Sequence, residues 1–336
     1  MTDAQRAHRY LVTGALGCIG AWTVRALVRE GHQVVAFDLG SNRRRVEKVM
    51  RAGELAEVTF VSGDITDLGA IESTLDDHQI TNVIHLAALQ VPFCRADPPR
   101  GALVNVVGTV NVFEAVKRRA DRMGPLVYTS SMGTYSAADM DPSTGRLEEG
   151  TDAHPTTHYG VYKLANEGTA RVYALEGAVT SIGVRPMTVY GVGRDQGMTS
   201  SPTVAIAAAV LGVPFTITFS GQTVFQYAAD VAATLIAASR STLSGAHVFN
   251  LAGHAVDIEA WISTVESIVP GARGLLDAAA TELPFPSEID HAGLAALGPI
   301  PETPIREGIE ASVEIFRRLA SEGRLVGSEQ GLPVAT

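Results

Sequence analysis

The chain has 336 residues, enough for one large domain, or a large and a small one, with a core that folds alone. A formal net charge of −10 argues against nucleic acid or an anionic membrane as partner. Only two cysteines occur, Cys18 and Cys94, outside any Cys-x-x-Cys spacing, which fits a reducing cytoplasmic setting.

The polar start, Met1 to Arg9, lacks the apolar stretch of a signal peptide. The longest apolar run, Val204 to Val213, is too short to span a bilayer and is interrupted by Gly212 and Pro214. Tyr10-Leu11-Val12 reads as a strand that runs into Thr13-Gly14-Ala15-Leu16-Gly17-Cys18-Ile19-Gly20, with a helical pattern over 21–30. Strand, glycine turn and helix together suit a pyrophosphate: the backbone can approach it closely, and the helix N-terminus offers free N–H groups. The spacing is Gly-x-x-Gly-x-x-Gly, and Cys18 inside it reads as a small packing residue.

Gln33 to Asp38 reads as a second strand ending in an acid. An acid about 20 residues beyond such a loop is placed to accept from an adenosine ribose. Asp38 would also repel a 2′-phosphate, which favours NAD over NADP. Arg43, Arg44 and Arg45 just beyond are the counter-signal, unless they form a solvated helix start.

Strands are expected at 58–61, 82–86, 126–129 and 179–184, with helices at 67–77, 99–119 and 159–173 between them. Repeated alternation of strand and helix predicts a parallel sheet covered on both faces, an α/β doubly wound fold whose ligands lie beyond the strand C-termini. Gly14, Asp38, Asp64, Ala87 and Ser131 all fall at that edge. His85 reads as a hydrogen-bonded histidine at a strand end. His154 and His158 flank Pro155 without a third ligand, so no metal site is expected.

Tyr159 and Lys163 stand four apart on a predicted helix and so share one face. A cation beside a phenol favours phenolate, and such a tyrosine can carry a proton to or from an alcohol or carbonyl oxygen. Beyond Pro186 the rhythm changes to short helices (203–211, 229–239, 258–268), short strands (215–219, 247–251) and a closing amphipathic helix at 305–321. The expected division is a dinucleotide-binding domain over 1–186, to which 229–251 returns, and a smaller substrate lobe over 187–336.

Taken together, Thr13-Gly14-x-x-Gly17-x-x-Gly20, Asp38, Gly63-Asp64, His85-Leu86-Ala87-Ala88, Asn105 to Thr109, Val127 to Ser131, Tyr159-x-x-x-Lys163 and Arg185-Pro186-x-x-Val189-Tyr190-Gly191 resemble the extended short-chain dehydrogenase/reductase family, in its NAD-dependent epimerase/dehydratase branch. The resemblance spans nearly the whole chain. It implies a Rossmann-type domain, a nicotinamide dinucleotide, and a homodimer built on two helices per subunit. By that likeness Tyr159 is the acid/base. Ser131, with Ser130 as the second choice, hydrogen-bonds the reacting oxygen. Lys163 binds the nicotinamide ribose and lowers the Tyr159 pKa, and Asn105 supports the lysine site. Asp64 and Ile65 lie at the adenine edge. Leu16, Cys18 and Ile19 in the glycine loop, Leu86 and Ala88 beside Ala87, and Pro186 complete the expected cofactor contacts. Gln90, Met132, Thr188, Arg194 and Gln226 are candidates for the substrate side.

Members acting on nucleotide-diphosphate sugars typically carry an asparagine where Thr188 stands, and arginines in stretches that here read Gly221 to Tyr227 and Leu283 to Glu288, without a basic residue. Diphosphate sites are normally built with Arg or Lys forks. Arg194 alone could hold a single carboxylate or phosphate. The expected activity is therefore hydride transfer at a secondary alcohol or ketone of a sugar, sugar acid or similar polar metabolite. A nucleotide-sugar epimerase or dehydratase with tightly bound NAD, and a non-catalytic dinucleotide sensor, are the alternatives.

Overall fold

The structure, a computed structural model, describes residues 8–284, 286, 288–327 and 332. Phe285 and Ser287 of the turn 283–288 lie outside the described residues.

Seven parallel strands form the central sheet: β1 (Arg9–Thr13), β2 (Gln33–Asp38), β3 (Val58–Ser62), β4 (Asn82–His85), β5 (Leu126–Thr129), β6 (Ser181–Arg185) and β7 (Ala246–Asn250). Their spatial order is β7-β6-β5-β4-β1-β2-β3, so the order reverses between β1 and β4. That reversal opens a crevice at the strand C-termini, where ligands bind in such sheets. The strands read as unbroken apolar runs because both faces are covered; Leu11 and Val12, on opposite faces of β1, are both fully buried.

Helix α1 (Cys18–Arg29) follows the glycine loop, and the helix Ala228–Ser239 packs beside it. On the opposite face lie the helix Leu68–Asp77, the run Pro98–Lys117, and α2 (His158–Leu175). Thr157 caps α2, its hydroxyl accepting from Gly160 N at 3.0 Å. The run Pro98–Lys117 is helical but not uniform: Leu103–Val107 is a π-helical turn between two α-helical pieces. That turn holds Asn105 buried, at a kind of irregularity that recurs near functional sites.

After β6 the chain builds a second sheet of three strands, Thr188–Tyr190, Gln222–Tyr227 and His254–Asp257. None of the three was expected from the sequence. Its aromatic core stacks Phe225 on Trp261 with centroids 4.2 Å apart. The polar loop at 139–157 is tied to the C-terminal part by the short pairing of Arg146–Leu147 with Glu288–Ile289. Among the described residues no helix is long and apolar enough to cross a membrane.

Candidate active site

A cavity of about 830 Å³ runs along the sheet edge from Asp38 to Tyr159. Its floor is the glycine loop. Gly14 takes φ +66°, and a Cβ there would stand 2.6 Å from Ala87 N. A Cβ on Gly20 would strike the Gly14 carbonyl. Both positions require glycine so that strand, loop and helix can close together. No side chain caps α1 and no acid stands in its first turn, so its N-terminal dipole is free to meet an anion.

Asp38 is fixed at the tip of β2. One carboxylate oxygen accepts from Leu16 N at 3.0 Å and the other from Gly40 N at 3.1 Å. The three arginines beyond it open the helix Arg44–Val49, with Arg43 exposed and Arg44 and Arg45 half-buried. Arg43 lies 3.8 Å from the Phe60 ring centroid, and Arg44 and Arg45 both reach Asp195, 150 residues away. Arg44 and Arg45 line the same cavity as Asp38, and both are paired with Asp195. Asp64, Ile65, Leu86, Ala87, Ala88 and Pro186 line the same cavity. Asp64 braces its own turn by accepting from Thr66 N at 2.8 Å. These features fit a dinucleotide: a glycine cradle and helix N-terminus for the pyrophosphate, and an acid for the adenosine ribose.

At the other end Ser131, Met132, Tyr159 and Lys163 meet. Ser131 starts a tight turn, and its hydroxyl accepts from Gly133 N at 3.0 Å. Burial pushes the Tyr159 phenol up from its ordinary pKa, while a hydrogen bond with Ser131 and the charge of Arg194 pull it down and Cys94 adds a smaller upward push. Lys163 stands one turn further along α2. The ammonium donates to Thr129 O at 2.6 Å and lies 5.6 Å from the tyrosine ring centroid, and burial is the stronger influence on the phenol. Lys163 itself is brought down to about 8, mainly by burial. Ser130 lines the cavity too and donates its hydroxyl to Glu167.

Asn105 does not reach the cavity wall. Its amide brackets Leu89, accepting from Leu89 N at 2.7 Å and donating to Leu89 O at 2.9 Å, which fixes the strand-end segment that carries Gln90. Its own carbonyl accepts from Asn166 at 2.8 Å on α2. His85 is buried between Thr13 Oγ1 at 2.7 Å and Thr109 Oγ1 at 3.0 Å. Burial, and then the charge of Lys163, lower its pKa to about 3. His154 pairs with Asp139 at 2.6 Å. Among the described residues no group of three or more His, Cys, Asp or Glu could hold a metal ion.

On the substrate side Gln90, Thr188 and Arg194 line the cavity, but Gln226 does not. Gln226 is buried and spent on backbone, accepting from Met187 N at 2.7 Å and donating to Leu251 O at 3.0 Å. The Thr188 hydroxyl is shared with Thr223 at 2.7 Å. Leu283, Pro284 and Pro286 close the mouth without a cation.

Sequence reasoning missed Glu167 and Asp195. Glu167 binds Arg185 through both oxygens, at 2.8 and 2.6 Å, and ties α2 to the ends of β5 and β6. Its position four residues after Lys163 was the available signal. Asp195 sits next to Arg194 in a glycine-rich stretch, and nothing local marks it as buried.

The model of the NAD dependent epimerase/dehydratase family matches residues 10–252. The chain belongs to this family. It is an NAD-dependent enzyme of the extended short-chain dehydrogenase/reductase type. It is similar to the UDP-glucose 4-epimerase of Mycolicibacterium smegmatis, 29% identical over 321 residues that make up 92% of this chain and 98% of that protein. The solved structure of MoeE5 in complex with UDP-glucose and NAD is 27% identical, with a TM-score of 0.76, covering 93% of this chain and 99% of that one. A partial consensus L-threonine 3-dehydrogenase, at 22% identity, shares the fold with a TM-score of 0.80 over 92% of this chain and 99% of its own.

Proposed function

We propose that this protein oxidises a secondary alcohol, or reduces the matching ketone, of a sugar, sugar acid or similar polar metabolite. The observation that carries this reading is that Ser131, Tyr159 and Lys163 line one end of a cavity whose other end is the glycine loop and Asp38. When bound, NAD supplies the two-electron acceptor for the hydride of the substrate's carbinol carbon. Gly14, Gly17, Gly20 and the α1 N-terminus would hold its pyrophosphate, Asp38 its adenosine ribose, and Asp64 and Ile65 its adenine edge. Lys163 would hold the nicotinamide ribose.

Tyr159 Oη takes the proton of the substrate hydroxyl as its C–O bond becomes a carbonyl. Ser131 Oγ keeps that oxygen in line and stabilises developing negative charge. Burial raises the phenol pKa, so an ionised Tyr159 needs fixed positive charge nearby; the cationic nicotinamide and Lys163 provide it once the complex forms. Asn105 acts on this centre indirectly, by positioning the Leu89–Gln90 segment. Tyr159→Phe is expected to abolish turnover while NAD binding, followed by calorimetry, is kept. Unchanged turnover refutes the role.

The second reading is a nucleotide-sugar epimerase or dehydratase that regenerates its own NAD. The near full-length likeness to a UDP-glucose 4-epimerase favours it. Against it stands the cavity mouth, where Thr188, Leu283, Pro284 and Pro286 offer no fork for a second diphosphate. Purification with NAD bound, and conversion of UDP-glucose without net NADH, would select this reading. A dinucleotide sensor is the least favoured, since it has no need of Ser131 and Tyr159.

Residues 187–336, apart from the returning segment 229–251, are proposed as the substrate lobe. A cytoplasmic homodimer is proposed as the working form. Exposed Val161, Ala165, Val172 and Leu175 make one stripe on α2, and exposed Leu103 and Val107 lie on the neighbouring helical run. An apolar stripe on two adjacent helices suits a four-helix contact between copies. Sedimentation of Val172→Glu would yield monomers.

A further inference from the structure

The loop from Gly191 to Thr199 leaves the small sheet and crosses to the glycine loop. Several contacts pin it there. Val192 O accepts from Trp22 Nε1 on α1 at 2.9 Å. Gly193 takes φ +96°, and a Cβ there would meet Arg45 Cβ at 3.6 Å and Cys18 Cα at 3.9 Å, in ordinary contact. The Asp195 carboxylate, only 3% exposed, takes Arg44 at 3.2 Å and Arg45 at 2.5 Å. The loop is thereby fastened to α1 and to the helix Arg44–Val49, which flank the glycine loop and Asp38.

Arg194 lies between these pins. Its Nη2 donates to Thr199 Oγ1 at 3.2 Å, but its Nε is sealed from solvent without a partner among the described residues. Asp195 is taken by the other two arginines, and among the described residues no carboxylate forms an ion pair with Arg194. Arg194 lines the cavity together with Cys18, the first residue of α1, and with Tyr159. The guanidinium therefore shares that cavity with the helix N-terminus and with the phenol. A buried N–H left unpaired is costly unless a ligand supplies the acceptor. The uncapped, acid-free N-terminus of α1 calls for negative charge at the same place.

The geometry points to Arg194 as the second jaw of a clamp on the cofactor pyrophosphate, with Asp195, held by Arg44 and Arg45, as the latch that keeps the loop shut. This rests on the NAD reading above. The glycine loop grips one side of the pyrophosphate by backbone N–H groups, and Arg194 covers the other by charge. NAD can leave only when the Asp195 latch opens, so cofactor exchange is slow and Asp195 is a positioning residue for it.

The test uses the full-length protein, freed of nucleotide, titrated with NAD, ADP-ribose and AMP. ADP-ribose keeps the pyrophosphate without the nicotinamide; AMP lacks the pyrophosphate. Arg194→Gln is expected to weaken NAD and ADP-ribose about tenfold to a hundredfold and to leave AMP nearly unchanged. Arg194→Lys restores part of the loss, and carries the comparison should the glutamine variant not fold. In stopped-flow displacement of NADH, Asp195→Asn releases the nucleotide about tenfold faster, with AMP affinity close to that of the parent. Equal NAD and ADP-ribose affinity in parent and Arg194 variants overturns the clamp while leaving the NAD reading intact. Failure of the parent protein to bind either nucleotide overturns both.

Discussion

Glu167 is a buried charge that holds α2, the helix carrying Tyr159 and Lys163, and breaking its pairing should cost several kcal/mol. Its Oε1 accepts from Ser130 Oγ and from Arg185 Nε at 2.8 Å, and its Oε2 accepts from Arg185 Nη2 at 2.6 Å. Arg185 continues to Tyr135 Oη at 2.5 Å and Asn250 Oδ1 at 3.3 Å. The side chains of Glu167 and Arg185 are 8% and 11% exposed, so solvent screens the pair little. Glu167→Gln removes the charge and sets an amide N–H against the guanidinium. Leaving one partner of a buried pair uncompensated costs about 3–5 kcal/mol. Arg185→Met, which strands the carboxylate instead, should cost a similar amount. The double variant Glu167→Leu, Arg185→Met should recover most of either loss, because neither charge remains buried alone. Urea denaturation of the four proteins measures this. Turnover should fall in both single variants, since Ser130 adjoins Ser131 and Glu167 shares α2 with Tyr159 and Lys163. Single variants that each lose less than about 1 kcal/mol, as an exposed pair would, refute the reasoning.

His85 predicts an acid limit to stability. Unfolded, it takes a proton below about 6.5; folded, not until about 3. Between those values the unfolded chain holds the extra proton, so stability falls as pH drops, by up to about 1.4 kcal/mol per pH unit. His85→Gln should flatten that part of the urea-midpoint profile, and an unaltered slope would assign the loss to other groups. Asp38→Asn should weaken NAD at least tenfold in calorimetry without a matching gain for NADP, because Arg43, Arg44 and Arg45 are already engaged. Efficient NADPH use by this variant would show those arginines to be free to move. Gly20→Val should abolish NAD binding, since its side chain must displace the Gly14 carbonyl that shapes the loop.

The central sheet was readable because its physics is local. Buried parallel strands show as short apolar runs, and Gln33–Asp38 ends where its acid stands. Tyr159 and Lys163 were readable because helix geometry alone puts positions four apart on one face. What escaped depends on distance along the chain or on irregular backbone. Periodicity over 99–119 predicts one helix; it cannot announce the π turn at Leu103–Val107 that turns Asn105 onto Leu89. Gln222–Tyr227 was read only for its missing arginine, yet it is the middle strand of a sheet whose outer members come from 188–190 and 254–257. Gln226, polar within it, suggested a ligand and instead stitches Met187 to Leu251. The basic run at 43–45 was the hardest to judge, because its meaning rests on Asp195. Without that acid three arginines beside Asp38 argue for a 2′-phosphate. With it, two are paired with the loop that carries Asp195, and the preference for NAD that Asp38 signals at the strand tip is left standing.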